Sequence, residues 1–485
     1  MPTHRPIIFV HGYSDKGASW KKWEDILAGR LGIATADLRT VTYVSLNNEI
    51  NIKDIAEGFD RALSVQGGLK AGQEFDAIVH STGMQVVRSW VRADPRRIVR
   101  LKRLIAFAPA TFGSPLAKQG RSWLGAIFKS NKQPGPDFLN AGNVVLDNLE
   151  PASVFTWELA EDDILAGETR YDAGPDTPYV FVFCGTGTYD GVRELVDKPG
   201  TDGTVRRAGC GMSARKIEVD LTDQALMVRR KNPARAQSDA VSEADRIILS
   251  QWLYADIPVH LVGKPDGSDG VNHATILSDP PLELQDLVVS AFQQTENPST
   301  AMVGYATWLK DADAAGRIQA MAQKFQQFII HAVDERGDSV TDYNLQLFRV
   351  DETGAEERLT AFTAEVDVYD GDKSYRSFHV DITALLSGAG RNSPGLRVRL
   401  MADSGTDYVG YLGYGFEKLT DGPAIDGRAW DACLTFKGES LRKFDFFHPY
   451  TTTLIRLYIE RQVLPSDRTL PPMLVKWDPP LIISI

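Results

Sequence analysis

Ser81 lies in the segment Val79-His-Ser-Thr-Gly83, between a short apolar run and the start of a helical pattern. A serine on a sharp strand-to-helix turn aims its hydroxyl into the crevice above a sheet. The backbone N–H of the next residue, Thr82, lies at a helix N-terminus, where a developing oxyanion is stabilised. The spacing is that of a nucleophile elbow, with Gly83 at one crowded position and Val79, larger than usual, at the other. His11-Gly12-Tyr13 ends the first apolar run, and a chain turning through Gly12 can present the Tyr13 N–H to the same oxyanion. A serine nucleophile needs a histidine to take its proton, and that histidine needs a carboxylate to hold its tautomer. Eight histidines are available. His331, His379 and His448 fall in the second half of the chain. His4 precedes the first strand, His80 adjoins the serine and points elsewhere, and His260 sits inside an apolar strand. His273, in Val271-Asn-His-Ala-Thr-Ile276, follows that strand on a loop and is the best base. Asp202, in Gly200-Thr-Asp-Gly-Thr-Val205, is the best acid, with Asp190, Asp266 and Asp269 as competitors. Singly, each motif has a bland reading: an N-cap serine, a packed histidine, a solvated loop carboxylate. Their joint placement after the first, third, fifth and sixth predicted strands gives the combination its weight.

The elements that must position these residues alternate. Pro6-Ile-Ile-Phe-Val10 reads as a buried strand, and further strands are predicted over 38–44, 75–79, 101–108, 179–183 and 258–262. Helices are predicted over 20–31, 52–65, 82–91 and 282–292. Such alternation specifies a parallel sheet covered on both faces, with chemistry in the crevice beyond the carboxyl ends of the strands. From about residue 326 the pattern changes to short strand-like runs separated by turns such as Gly337-Asp338 and Gly371-Asp372. A β-sandwich-like domain is therefore expected over 326–485, joined by a helical connector (296–325, its helix over 305–325) to a catalytic domain over 1–295.

The chain has 485 residues, with 53 Lys+Arg against 64 Asp+Glu and a net charge of −11. That balance disfavours a nucleic-acid partner. Three cysteines exclude a disulfide framework, though a Cys184–Cys210 bridge stays open. Neither a signal-peptide core nor a membrane-spanning run is visible, so a soluble cytoplasmic protein is expected, unless it is exported by a non-classical route.

Five segments carry a resemblance: Phe9-Val-His-Gly-Tyr13, Ile78-Val-His-Ser-Thr-Gly-Met84, Ala108-Pro-Ala-Thr-Phe-Gly-Ser-Pro-Leu116, Thr201-Asp-Gly-Thr-Val205 and Asn272-His273. Over 1–295 the chain resembles bacterial lipases of the α/β-hydrolase superfamily. The resemblance implies that fold, with Ser81 as nucleophile, Asp202 as acid, His273 as base, and the Tyr13 and Thr82 N–H groups as oxyanion hole. It implies a carboxylic-ester hydrolase acting on lipid or small ester substrates. No cofactor and no metal are expected. The insertion over 115–175 is expected to be either a lid, with Trp123, Ile127 and Phe128 in an apolar cluster that suits an acyl chain, or a cap helix packed on the core for stability. A basic stretch (Arg206, Arg207, Arg215, Lys216, Arg229, Arg230, Lys231) reads either as a salt-bridged face or as a membrane-surface contact for anionic headgroups. Tyr408, Tyr411, Tyr414 and Phe416 read as strand core or as an interfacial aromatic edge. Two alternatives stand beside the lipase reading: a phospholipase acting at a target membrane, such as a bacterial effector, and a non-catalytic binding protein of the same fold.

Overall fold

The computed structural model describes residues 4–12, 18–43, 49–119, 143–171, 174, 176–189, 198–237, 241–264, 266–315, 323–387, 395–406, 408–414, 430–437 and 446–463. In its first half the strands are β1 (Ile7–Val10), β2 (Leu38–Val41), β3 (Phe75–His80), β4 (Leu101–Phe107), β5 (Tyr179–Gly185), β6 (Ala214–Asp220), β7 (Ile247–Leu249) and β8 (Val259–Val262). Six of them form one sheet in the order β2-β1-β3-β4-β5-β8. Every pairing in it is parallel. These strands are short apolar runs, and β1 and β3 are buried along their whole length, as a sheet covered on both faces requires.

Helix α1 (Lys21–Leu31) ends at Gly32, whose φ of 67° is left-handed. Helix α2 (Ile52–Val65) starts at a capping box in which Asn51 and Asp54 bond each other's backbone N–H. Helix α3 (Gly83–Ala93) leaves β3 after two residues. The helix Leu282–Gln294 returns to pack against α1.

The second half contributes β9 (Phe325–Asp334), β10 (Tyr343–Val350), β11 (Glu356–Arg358), β12 (Val366–Val368), β13 (Tyr375–Asp381), β14 (Gly395–Ala402), β15 (Val409–Leu412), β16 (Trp430–Lys437) and β17 (Thr452–Val463). One sheet runs β12-β13-β9-β17-β6-β7, with β15 also on β17, and a second runs β11-β10-β14-β16. Phe328, Ile330, Leu345, Leu347, Leu400 and Leu457 share one apolar core between these sheets, which makes a sandwich.

Three findings differ from the sequence reading. The expected division near residue 295 is crossed, because β6 and β7 pair within the sandwich, β6 lying parallel to β17. The cause is visible at Ile217, Val219 and Leu221, which alternate with charged residues and enter the sandwich core. The connector helix is Ala301–Ala315, and Phe325 already belongs to β9. Lastly, the described part of the 115–175 insertion is packed. Helices Asn143–Leu149 and Val154–Asp162 bury Val145, Leu149, Phe155, Trp157 and Leu159. Trp157 meets His331 and Tyr375 of the sandwich edge-on at 5.7 Å. Trp123, Ile127 and Phe128 lie outside the described residues.

Candidate active site

Ser81 occupies the turn between β3 and α3 with φ 54°, in the left-handed region. A residue with a side chain rarely adopts that conformation, and such strain persists only where the surroundings hold it. They do so here: the Ser81 N–H donates to Phe107 O (3.2 Å), and Ser81 O accepts from the Ala110 N–H (3.0 Å). The turn is also crowded. A Cβ on Gly83 would lie 2.7 Å from Val10 O, and one on Gly12 would lie 3.0 Å from Ser81 Cβ. Both positions therefore need glycine for close approach, and that approach brings the end of β1 against the nucleophile turn. Val79, despite its size, is accommodated fully buried in β3.

His273 and Asp202 meet. His273 Nδ1 lies 2.9 Å from Asp202 Oδ2, with both side chains fully buried. Asp202 Oδ1 accepts from the backbone N–H groups of Thr204 (3.0 Å) and Val205 (2.8 Å). The His273 N–H donates to Asp202 O at 3.0 Å. A carboxylate accepting on both oxygens places the imidazole proton on Nδ1 and leaves the Nε2 lone pair to act as base. Among the described residues no hydrogen bond joins Ser81 Oγ to His273. The competing acids are engaged elsewhere: Asp266 accepts from the Ser268 N–H and Asp269 from the Lys264 N–H, both in turns. Asp190 and Tyr13 lie outside the described residues. Thr82, the other oxyanion candidate, is buried at the N-cap of α3.

Two contributors escaped the sequence reading. His80 does not point away from the site, since its Nε2 lies 3.0 Å from His273 O. Tyr43 stacks on His11 at 4.1 Å, and its hydroxyl donates to His11 O (2.6 Å). Neither could be found from spacing, because both act across the sheet. His260 is a core residue. Burial against Trp308 and Phe183 lowers its pKa to about 4.

The loop carrying Asp202 is held from two sides. Ser114 Oγ, beyond β4, donates to Thr204 O (2.6 Å), and the Phe112 N–H donates to Gly209 O (3.0 Å). From the sandwich, Asp367 accepts from Arg206 and Lys198, both at 2.9 Å. Burial opposes ionisation of Asp367, but those two cations outweigh it and hold the carboxyl below its ordinary range.

The same contacts correct the headgroup reading for the buried part of the basic stretch. Arg206, Arg207 and Arg215 are buried. Arg207 donates to Thr186 O and Thr201 O, while Arg215 lies over the Trp252 ring. Lys216 pairs with Glu161 and Lys231 with Glu218. The stretch is interior from Arg206 to Arg215 and salt-bridged at Lys216 and Lys231, while Arg230 and Lys231 stay exposed. Tyr411 is likewise buried strand core, whereas Tyr408 is exposed. Phe416 lies outside the described residues. Among the described residues no helix is long and apolar enough to cross a membrane.

No family model matches the chain, and no curated protein matches it in sequence. Solved structures do match. Phospholipase PlaB from Legionella pneumophila is 20% identical, with a TM-score of 0.74 over 99% of this chain and 98% of that one. The same phospholipase in complex with thio-NAD aligns with a TM-score of 0.70, at 20% identity over 98% of each chain. The shared fold spans the sandwich as well as the parallel sheet. The chain has the α/β-hydrolase fold with further C-terminal sheets, as its sequence motifs implied.

Proposed function

We propose that the chain is a serine hydrolase that cleaves the carboxylic esters of lipids. The observation that carries this reading is the strained Ser81, φ 54°, on the turn from β3 into α3. The buried Asp202–His273 hydrogen bond supports it, because it prepares a base in the tautomer that a serine nucleophile needs. His273 Nε2 takes the Ser81 proton as Oγ attacks the ester carbonyl. The tetrahedral oxyanion is met by the Thr82 N–H, at the positive end of α3, with the Tyr13 N–H assigned as its companion. His273 then protonates the leaving alcohol. Water activated by the same nitrogen later hydrolyses the acyl-enzyme.

Within this class a phospholipase is favoured over a simple esterase. The support is the likeness to a phospholipase along almost the whole chain, sandwich included. The test uses a fluorophosphonate probe and a panel of phospholipid and p-nitrophenyl ester substrates. The wild type is expected to be labelled at Ser81 and to release fatty acid from phospholipid vesicles. Ser81→Ala is expected to lose both labelling and at least about 10³-fold in kcat. Failure of the wild type to react with the probe overturns the catalytic reading in favour of a binding protein. Labelling with turnover of the p-nitrophenyl esters alone overturns the phospholipid one.

A further inference from the structure

His80 is the last residue of β3 and the immediate neighbour of Ser81. It is 2% exposed. Its Nε2 lies 3.0 Å from the backbone oxygen of His273. A carbonyl oxygen only accepts, so Nε2 must carry the hydrogen. The His80 and His273 rings lie 4.5 Å apart, tilted by 45°. Trp20 closes one side of the His80 ring edge-on at 6.4 Å. Gly12 lies beside Nδ1, and a Cβ there would fall 3.1 Å from that nitrogen, so a side chain at position 12 would crowd the ring. Burial, and after it the nearby His273, push the His80 pKa well below the ordinary histidine range. The ring is therefore neutral, and it places no positive charge beside a base that becomes cationic during the reaction.

His273 is thus held at three atoms. Its Nδ1 is bonded to Asp202 Oδ2, its N–H to Asp202 O, and its carbonyl oxygen to His80. The first two ties fix the base to the acid. Among the described residues the third runs to the nucleophile turn, and it does so through the residue bonded covalently to Ser81.

Resting on the serine-hydrolase reading, we propose that His80 is a positioning residue that sets the spacing between Ser81 and the base by donating from Nε2 to His273 O. It touches neither substrate nor the reacting atoms. Its effect falls on kcat, because base alignment matters when the proton moves and hardly when substrate binds.

The test uses two amides of different reach in the full-length protein. Gln carries an N–H donor near the Nε2 position of histidine, and Asn carries one only near Nδ1. His80→Asn is expected to lower kcat by about 10- to 100-fold at nearly unchanged KM, and to slow fluorophosphonate labelling of Ser81 in parallel. His80→Gln is expected to recover most of both. Thermal unfolding of the two variants should agree closely, which separates alignment from loss of fold. Equal activities for Asn and Gln, or an Asn variant with the wild-type kcat, overturn the proposal. If the wild type is never labelled, the serine-hydrolase reading fails instead.

Discussion

The parallel sheet and the sandwich bury their strands by different rules. In the parallel sheet, β1, β3 and nearly all of β4 and β5 are buried, because helices cover both faces. Polar groups there gather beyond the carboxyl ends, at Ser81, Asp202 and His273. In the sandwich, β10 alternates over its first five residues, with Tyr343, Leu345 and Leu347 inward and Asn344 in solvent. β9 breaks that alternation, being buried at nine of its ten positions. Phe328, Ile330 and Ala332 enter the inter-sheet core. Gln327 faces the other way, bonding Phe112 O and Ser377 Oγ, and Ile329 joins the core of the parallel-sheet half. One face of this sheet lies in the inter-sheet core and the other packs against the parallel-sheet half. The C-terminal half therefore packs into the parallel-sheet half and holds the loop that carries Asp202, rather than standing apart from it.

The largest effect should arise inside the parallel-sheet half. Asp202→Asn keeps the shape of the acid but can donate to His273 Nδ1, which favours the wrong tautomer. We expect kcat to fall by about 10⁴-fold with little change in KM. A fall of tenfold or less would mean that the Asp202–His273 bond is structural only. Next comes the tie between α3 and the packed insertion. Arg88 and Asp163 form a two-pronged ion pair at 2.7 and 2.8 Å, both fully buried. Tyr171 and the Ile164 N–H also donate to Asp163, and Arg88 reaches Thr111 O. Asp163→Ala strands a buried guanidinium and should cost about 3–5 kcal/mol in denaturant unfolding. A loss near zero would show that the insertion is not part of the core.

A smaller effect should cross between the halves. Asp367 on β12 holds Arg206 and Lys198 of the acid loop. A carboxyl whose folded pKa is depressed stabilises above its unfolded pKa, about 4, and loses that contribution as pH falls through the folded value. Asp367→Asn should therefore reduce stability at pH 7 and flatten its dependence below about pH 4, as followed by thermal unfolding. It should also lower kcat on the order of tenfold through the acid loop. An Asn variant with unchanged kcat would make the sandwich an appendage after all.

The site residues were legible to the degree that each follows a strand. Ser81 carries local signals on both sides, an apolar run before it and a helical pattern after it. Asp202 and His273 were legible because a loop histidine and a loop carboxylate after later strands had few rivals. The parallel sheet was legible for the same reason, since its strands are compact apolar runs. β6 was not. Ala214-Arg-Lys-Ile-Glu-Val-Asp220 shows period two, but its charged positions resemble a solvated run until their partners, Glu161 among them, are placed opposite. His80 was hidden for a different reason. Its partner is a backbone oxygen 193 residues away, and no side-chain pattern encodes that.

The finest test of the boundary between the halves uses two thiols. Cys184 on β5 and Cys210 at the end of the acid loop are both buried, with sulfurs 3.6 Å apart. Burial, and then the hydrogen bond to Cys184, push the Cys210 thiol well up. For Cys184 the bond from Cys210 pulls the other way, but burial leaves it raised too. Alkylation needs the thiolate and an open path, so iodoacetamide at pH 8 should leave both unmodified in the native protein. Residual labelling then reports local opening. Asp367→Asn releases the sandwich's hold on the loop but not on β5. Labelling mapped by mass spectrometry should rise a few-fold at Cys210 and less at Cys184. Equal acceleration at both thiols would mean that the sheet and the acid loop open as one unit, and the division between a rigid parallel sheet and a loop clamped from outside would be wrong.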